Sequence, residues 1–600
     1  MTPVVESAMT ELDKTVHEAY IIANFHVCRL CHSGRTLELP KLGQEYFYAC
    51  LSAVSQSNRQ KGAIKDPSLR ESLRIYDSWR PDGFKKPDSN HLSSGSHQNI
   101  SLQMATNAKN TIVLNFYNRF KRYLKHKYLL DGKSAYEKLQ ILLGKGAYTG
   151  DDPVIMAYLP MARLVKLPSR PETALPLLYN FARYAETENA KFEQRIVDRT
   201  LDSRAKLVRL FSLLPHKKGF GASHIKICQN GLFGLLRRGG SEVTEKQFKE
   251  DVDQCWRKLF DVKRFETRNR KFAREILTDG VGVSIVLRRS KSVSQIADPT
   301  KRRTHQKMDR YRQPEAFDLQ KYGQVWGLDP GRKDLFFASD EEDDVVKCST
   351  KEFYHCAKYK ESVKKNRRWT DRNPEVRDAI LRMPTKKTVD LDTIEKYLRY
   401  VLPRLDMLSE FYSRRRARHM KFKRFRFCQK KLNDVCRSLT AAYGKKTIIG
   451  FGDWSNQDGG VIKKCQSGPV KRLETELKRY CKVVRVDEFR TSKLCYCCHC
   501  ELKNARKKTT GRDFTQRVTK VHAVLLCQNS ECRNMTTNRD VNASRNMRDL
   551  LLSRARPWGF SRMNKNLVGT SCWEVQPRLS IGYRREGSGN SCATRSSTLH

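Results

Sequence analysis

The stretch VDEFRTSKLCYCCHCEL (486–502) sets a carboxylate, Glu488, just ahead of a run of four cysteines. Cys495-x2-Cys498 and, further on, Cys527-x4-Cys532 supply two ligand pairs. Four thiolates suit one tetrahedral Zn²⁺ in a closed, structural site. Cys497 and Cys500 offer a shifted first pair at the same spacing. A structural zinc has no use for Glu488, so that residue asks for a different partner. Two more carboxylates stand at comparable places. Asp329, in GLDPG, ends a strand-like run, and Gly327 and Gly331 leave room beside it. Asp-Pro-Gly is also ordinary turn chemistry. Asp540, in NRDVNASRN, opens a helix; an N-cap role, worth about 1 kcal/mol, is its simpler reading. Ala543 and Ser544 keep that first turn small, so the helix end can approach a sheet closely. Taken together, Asp329, Glu488 and Asp540 make an oxygen-donor set for Mg²⁺ or Mn²⁺. Two such ions about 3.5–4 Å apart activate water and stabilise a leaving phosphate oxygen.

The elements that must position these residues can be read from periodicity. QVWGLD, KKTIIGFGD and KVVRVDEF are strands, with Val484, Val486 and Glu488 on one pleated face. A lone glutamate on that face is costly to bury without a cation. GPVKRLETELKRYC and NRDVNASRNMRDLLLSRA are helices around them. A hairpin-led sheet followed by alternating helices and strands predicts a mixed α/β domain from residue 321. Upstream, TIVLNFYNRFKRYLKHKYLL heads a helical region running from about 106, DGVGVSIVLRRSK has β alternation, and FKKPDSNHLSSGSHQN (84–99) reads as a linker. EAYIIANFHVCRLCH is a helix whose Cys28 and Cys31, flanked by His26 and His32, lack a second pair at finger spacing and fit buried free thiols better. The expected divisions are 1–105, a helical region and linker; 106–320, a helical region with β segments and a linker; 321–490, 491–537 and 538–556, an α/β domain interrupted by the cysteine insert; and 557–600, a disordered tail.

The 600 residues carry 116 Lys and Arg against 65 Asp and Glu, a net charge of +51, so the expected partner is a nucleic acid. No apolar run reaches the length of a membrane span, and the 19 cysteines of a chain without a secretory pattern suit a reducing compartment. The densest basic run, FYSRRRARHMKFKRFRFCQKK (411–431), nominates Arg414, Arg415, Arg416, Arg418, Lys421, Lys423 and Arg424 for phosphate contact. Phe425, Cys428, Leu432, Val435 and Leu439 form the stripe a helix would bury beneath them. The same run fits a nuclear-import signal, which places the chain in the nucleus.

In their order, GLDPG, VDEFRTSKLCxxC, the second cysteine pair and NRDVNASRN resemble the RuvC domain and zinc ribbon of the TnpB and Fanzor nucleases, most strongly over 321–556. DGVGVSIVLRR and TIVLNFYNRFKRYL extend the likeness back to about 106. TnpB proteins carry a catalytic glutamate on the strand where this chain reads KTIIGFGD, with Gly452 in its place; Fanzors carry it just before the zinc ribbon, where Glu488 stands. Asp453 is the weaker rival. The resemblance implies a multidomain α/β fold: an RNase H-like (RuvC) nuclease domain with an inserted zinc ribbon, a helical recognition lobe and a small β-barrel-like wedge. It also implies a transposon-associated, RNA-guided endonuclease cutting double-stranded DNA, with two Mg²⁺ or Mn²⁺ on Asp329, Glu488 and Asp540, one structural Zn²⁺ on Cys495, Cys498, Cys527 and Cys532, and a guide (omega) RNA. Competing readings are a non-catalytic nucleic-acid-binding protein and an unguided transposase or recombinase. Protein partners and oligomeric state are not encoded legibly.

Overall fold

The computed structural model describes residues 2–56, 64–89, 92–144, 150–167, 169–198, 207–289, 319–340, 342, 344–453, 468–510, 516–533, 535–553 and 557–560. The basic stretch SVSQIADPTKRRTHQKMDRYRQPEAFD (292–318), expected to be a linker, lies outside them. The chain forms two compact units, Met1–Thr304 with Tyr354–Lys430, and His305–Phe353 with Lys431–His600. These units depart from the expected boundaries. Residues 354–430, which the sequence placed inside the nuclease domain, cluster with the N-terminal part of the chain.

The first unit is built on long helices. In α1 (Thr2–His32), Ala19, Ile22, Phe25 and Cys28 recur at helical spacing and are buried. Along α2 (Gln98–Lys127), Ile112, Phe116, Phe120 and Leu124 repeat every four residues and are fully covered. They meet α3 (Leu175–Val197), where Phe181 lies 4.8 Å from the Phe120 ring and 4.4 Å from Tyr123. Then come β1 (Ile225–Ile227), α4 (Gln229–Arg238), α5 (Val252–Leu259), β2 (Arg270–Thr278) and β3 (Val283–Arg289). Where a barrel-like wedge was expected, the described residues form a three-stranded antiparallel sheet, ordered β1-β2-β3. Helices supply the cover that barrel closure would otherwise give: Trp256 of α5 is fully buried 5.2 Å from Phe272, in a core shared with Met9 and Leu12 of α1 and Leu232 of α4. The expected linker at 84–99 is also packed. Leu92 and His97 are buried, and a β-carbon on Gly95 would lie 2.6 Å from the Gly231 nitrogen, so the missing side chain admits the segment against α4.

The second unit centres on a five-stranded sheet: β4 (Gln324–Asp329), β5 (Asp334–Ser339), β6 (Val345–Ser349), β7 (Thr447–Gly452) and β8 (Lys482–Val486), ordered β6-β5-β4-β7-β8. β4, β5 and β6 pair antiparallel, whereas β7 pairs parallel to both β4 and β8. Helix α6 (Arg415–Leu439) contains the boundary between the units and leads toward β7; α7 (Val470–Tyr480) crosses from β7 to β8. Every residue of β7 is buried, as a central strand covered on both faces requires. Val484 and Val486 point inward and Arg485 outward, matching the expected pleat.

A second sheet, ordered β11-β10-β9, is made by β9 (Leu502–Thr510), β10 (Gln516–Cys527) and β11 (Thr536–Asn538). β11 runs directly into α8 (Arg539–Leu552). Helix α8 presses on the five-stranded sheet where two glycines stand side by side: Gly327 pairs with Gly450. A β-carbon on Gly327 would lie 2.5 Å from the Arg548 nitrogen and collide with the Ser544 carbonyl, and one on Gly450 would lie 3.2 Å from the Met547 carbonyl. Ala543 and Ser544 are fully covered, as their size predicted, and Ser544 Oγ lies 2.9 Å from Ser339 Oγ. The expected disordered tail begins with order: Phe560 is buried in the core under α8, because its ring fills apolar space beside His499, 5.4 Å away. Residues 561–600 lie outside the described chain.

Candidate metal centres

Parallel pairing brings three strand ends to one edge of the five-stranded sheet. Leu328 pairs with Phe451 and Gly452 with Val486, so Asp329, the end of β7 and the segment leaving β8 are neighbours. Asp329 is the last residue of β4, as expected. Glu488 is placed differently from the sequence reading, which ended the strand on it. β8 stops at Val486, and Glu488 begins a turn whose carbonyl accepts from the Thr491 N–H at 3.1 Å and the Thr491 hydroxyl at 2.9 Å. The side chain still returns to the sheet edge. A β-carbon on Gly452 would run into the Glu488 carboxylate, its Cδ 2.8 Å away, and into Pro330 Cδ at 2.8 Å. Gly452 therefore leaves the hollow that Glu488 fills.

Asp453, the rival ligand, sits on the other side of this edge. Its N–H donates to the Val486 carbonyl at 3.1 Å. Its charge acts on the outward-facing Arg485, which hydrogen bonds to Glu474, and secondarily Asp453, hold above its ordinary value.

Asp540 is not the helix cap. Asn538 takes that role, its side chain accepting from the Asp540 N–H at 2.9 Å and the Val541 N–H at 3.3 Å. Asp540 in the first turn is thus left for other chemistry, at a helix N-terminus that favours negative charge. Burial, and then the neighbouring charge of Asp540, push Asp329 up to about 8; Arg539 works against both. Burial raises Asp540 as well, with Arg539 and Lys333 opposing it and Asp334 adding to it. Two neighbouring carboxyls whose protons are held on by burial, and at Asp329 also by the charge of Asp540, are groups that a divalent cation would ionise.

The three carboxylates do not close into a one-ion cage. Among the described residues, the only group of three or more possible ligands with all donor atoms within 4.8 Å of one another is Cys495, Cys498, Cys527 and Cys532. That group is the set expected from spacing, and the shifted Cys497 and Cys500 stand outside it. Tetrahedral Zn–S bonds of about 2.3 Å put sulfurs about 3.8 Å apart. Here Cys495 Sγ lies 3.8 Å from Cys532 Sγ, and Cys498 Sγ lies 3.5 Å from Cys527 Sγ, so the cluster could hold zinc. Burial pushes the Cys498 and Cys527 thiols up. The other cysteine candidates are structural. Cys28 and Cys31 are buried thiols, and their flanking His26 and His32 bond Ser72 Oγ at 2.8 Å and Tyr179 OH at 3.0 Å.

Sequence reasoning missed the residues that join the two centres. Asn542 and Asn546, one turn apart on α8 and completely buried, both donate to the Thr491 and Leu494 carbonyls at 2.8–3.0 Å. Asn542 Oδ1 also accepts from the Tyr496 N–H at 3.0 Å, inside the first cysteine pair. Their four-residue spacing in NASRN is visible in the sequence, but the loop they grip is not.

The basic run divides. Arg414, Arg415 and Arg416 are exposed, with Arg416 over Trp369 at 4.9 Å. Lys423 pairs with Glu361 at 3.2 Å, Arg424 bonds Ser362 Oγ at 3.0 Å, and Lys421 Nζ donates to the Ala222 carbonyl at 2.8 Å. Arg418 does not belong to the surface set. It is buried, donating to the Ser413 and Asp279 carbonyls at 2.9 Å and pairing with Glu6 at 2.9 Å, so its donors are committed inside the protein. Of the expected apolar stripe, Cys428, Leu432, Val435 and Leu439 are buried, but Phe425 is 55% exposed and stacks with Phe422.

Two family models match. A domain of unknown function, DUF8286, covers residues 225–289, the three-stranded sheet with its helices. The Cas12f1-like, TNB domain covers residues 470–547, which contain α7, β8, Glu488, all four clustered cysteines and Asp540. This second match points to the TnpB/Cas12-like family of nucleic-acid-binding nucleases. No curated protein matches the chain.

Proposed function

We propose that the chain is an RNA-guided endonuclease of Fanzor type, transposon-associated and nuclear, that hydrolyses both strands of duplex DNA in a RuvC-like active site. The observation that carries this reading is the meeting of Asp329, the Glu488 carboxylate and the start of α8 at the carboxyl edge of parallel strands β4, β7 and β8. Strand order supports it too: three antiparallel strands followed by two parallel ones is the sheet an RNase H-like nuclease requires. The Cas12f1-like match supports it by spanning two of the three carboxylates and all four clustered thiols.

Asp329 and Asp540 would share the negative charge at the centre of the site, and Glu488 would enter from the β8 side through the space left by Gly452. A spacing too wide for one ion suits ligands divided between two. Bound Mg²⁺ or Mn²⁺ would activate water and offset charge on the leaving oxygen. Arg539, whose charge acts on both aspartates, tempers the repulsion between them. The four-cysteine cluster holds the ribbon rather than the substrate. A net charge of +51 and exposed Arg414, Arg415 and Arg416 suit a guide RNA paired with its target, which is held through the backbone rather than base edges.

The test uses full-length protein with the RNA that copurifies. Asp329→Ala, Glu488→Ala and Asp540→Ala should each abolish Mg²⁺-dependent cutting of guide-matched duplex while leaving its gel-shift binding intact. Cutting that persists in one of these variants removes that residue from the site. Copurifying RNA that sequences as a random mixture removes the guide.

A further inference from the structure

The segment Thr491–Leu494 links Glu488 to the first zinc-ligand pair; its Lys493 carbonyl accepts from the Leu502 N–H at the start of β9, but the buried Thr491 and Leu494 carbonyls enter no strand ladder among the described residues. Buried carbonyls need donors. Both come from one helix: Asn542 and Asn546 each reach the Thr491 and Leu494 carbonyls, giving each acceptor two amide hydrogens. Asn542 spends its remaining oxygen on the Tyr496 N–H, between Cys495 and Cys498. Leu494 and Thr491 are themselves buried, so water cannot stand in for these donors. The first turn of the same helix carries Asp540, less than one turn before Asn542. Three parts are therefore tied by five hydrogen bonds: the turn bearing Glu488, the cysteine knuckle and the helix bearing Asp540.

We propose that Asn542 and Asn546 are positioning residues that fix the separation of Glu488 and Asp540, and that zinc in the four-cysteine cluster supports the same separation through Tyr496. This inference rests on the metal-dependent reading above. The zinc cluster then acts on the carboxylates without touching substrate. If the knuckle loosens, Tyr496 withdraws its N–H from Asn542, the 491–494 segment loses its register on α8, and Glu488 shifts relative to Asp540. Neighbouring-shell hydrogen bonds of this kind typically change metal affinity 10- to 100-fold when removed.

The experiment is Mn²⁺ titration of the full-length, zinc-containing protein followed by electron paramagnetic resonance, which counts free Mn²⁺ without reference to cleavage. Asn542→Ala and Asn546→Ala should keep one zinc per chain and native circular dichroism while weakening Mn²⁺ binding on the order of 10- to 100-fold. Asn546→Asp keeps the shape but removes the donor amide; it should resemble the alanine variant if donation matters, and wild type if only packing does. Should the variants fail to fold, wild-type protein stripped of zinc by a mercurial thiol reagent provides the second measurement, with Mn²⁺ affinity falling on the order of tenfold or more. Mn²⁺ affinity unchanged by the variants or by zinc release would overturn the positioning role alone. Wild-type protein that binds no Mn²⁺ would overturn that role and the proposed nuclease site together.

Discussion

Replacing Gly452 by alanine tests the geometry of the edge independently of any assumption about nucleic acid. The added carbon would stand 2.8 Å from Glu488 Cδ and 2.8 Å from Pro330 Cδ, where carbon contacts favour about 3.5–4.0 Å. Pro330 follows directly on Asp329, which pairs with Phe337, and has little freedom to retreat. Glu488 sits at the far end of a flexible side chain and can swing away. Overpacking of this size costs about 1–3 kcal/mol, part from the proline and part from displacing the carboxylate. The two parts separate in a double-mutant cycle. With Glu488→Ala in the background, the alanine at 452 should cost about 1 kcal/mol less, because one of its two clashes is gone. A 600-residue, two-unit chain does not unfold in one step, so the readout should be local. Hydrogen exchange across 447–453, including the Asp453 amide that bonds Val486, reports the opening of the β7–β8 ladder. Equal costs in the two backgrounds would mean that the Glu488 carboxylate does not occupy the Gly452 hollow, and its assignment to the site would fall with it.

Other outcomes follow from the same geometry. With divalent ions removed, Asp329 keeps its proton to about pH 8 when folded but loses it near its ordinary value of 3.8 when unfolded. The unfolded chain therefore binds fewer protons in that window, and stability falls as pH rises from about 4 to about 8. Hydrogen-exchange protection of the β4 amides between pH 5 and pH 8, corrected for intrinsic exchange rates, should show that decline, and Asp329→Asn should flatten it; an identical slope in the variant would contradict the shift. Cys498→Ser should reduce bound zinc from one ion per chain to near none by elemental analysis, with retained zinc pointing instead to the Cys497/Cys500 pair. Changing Arg414, Arg415 and Arg416 together to alanine should lower the salt dependence of nucleic-acid binding by roughly one unit of slope for each lost phosphate contact. Arg418→Ala should leave that slope alone and cost about 1–3 kcal/mol of stability, because it strands the Asp279 and Ser413 carbonyls.

Much of the second unit was legible because its signals are local. GLDPG ends a strand where it should, the two cysteine pairs meet as spaced, and small residues after Asp540 let α8 onto the sheet. What escaped reading depends on partners far along the chain. Arg418 looks like any other arginine of its run, and only Asp279 and Glu6 reveal that it is interior. The polar stretch at 84–99 has linker composition, yet Gly95 meets Gly231 and draws it into a core. Asn542 and Asn546 could not be chosen from other helix asparagines until the Thr491–Leu494 carbonyls were placed. Over the described residues the wedge is an open sheet whose cover, Trp256 and Met9, comes from helices far apart in the sequence.

The order in which the central sheet receives its strands has a consequence for synthesis on the ribosome. Strands β4, β5 and β6 emerge together, but the partner for Val325 is Ile448, which emerges only after the whole Tyr354–Lys430 excursion. Until then one side of β4 presents unsatisfied amides and carbonyls, the kind of open edge on which nascent chains aggregate. A product ending anywhere between 350 and 446 would keep that edge permanently. Supplying residues 447–560 as a separate polypeptide should rescue such a product by completing the sheet in trans.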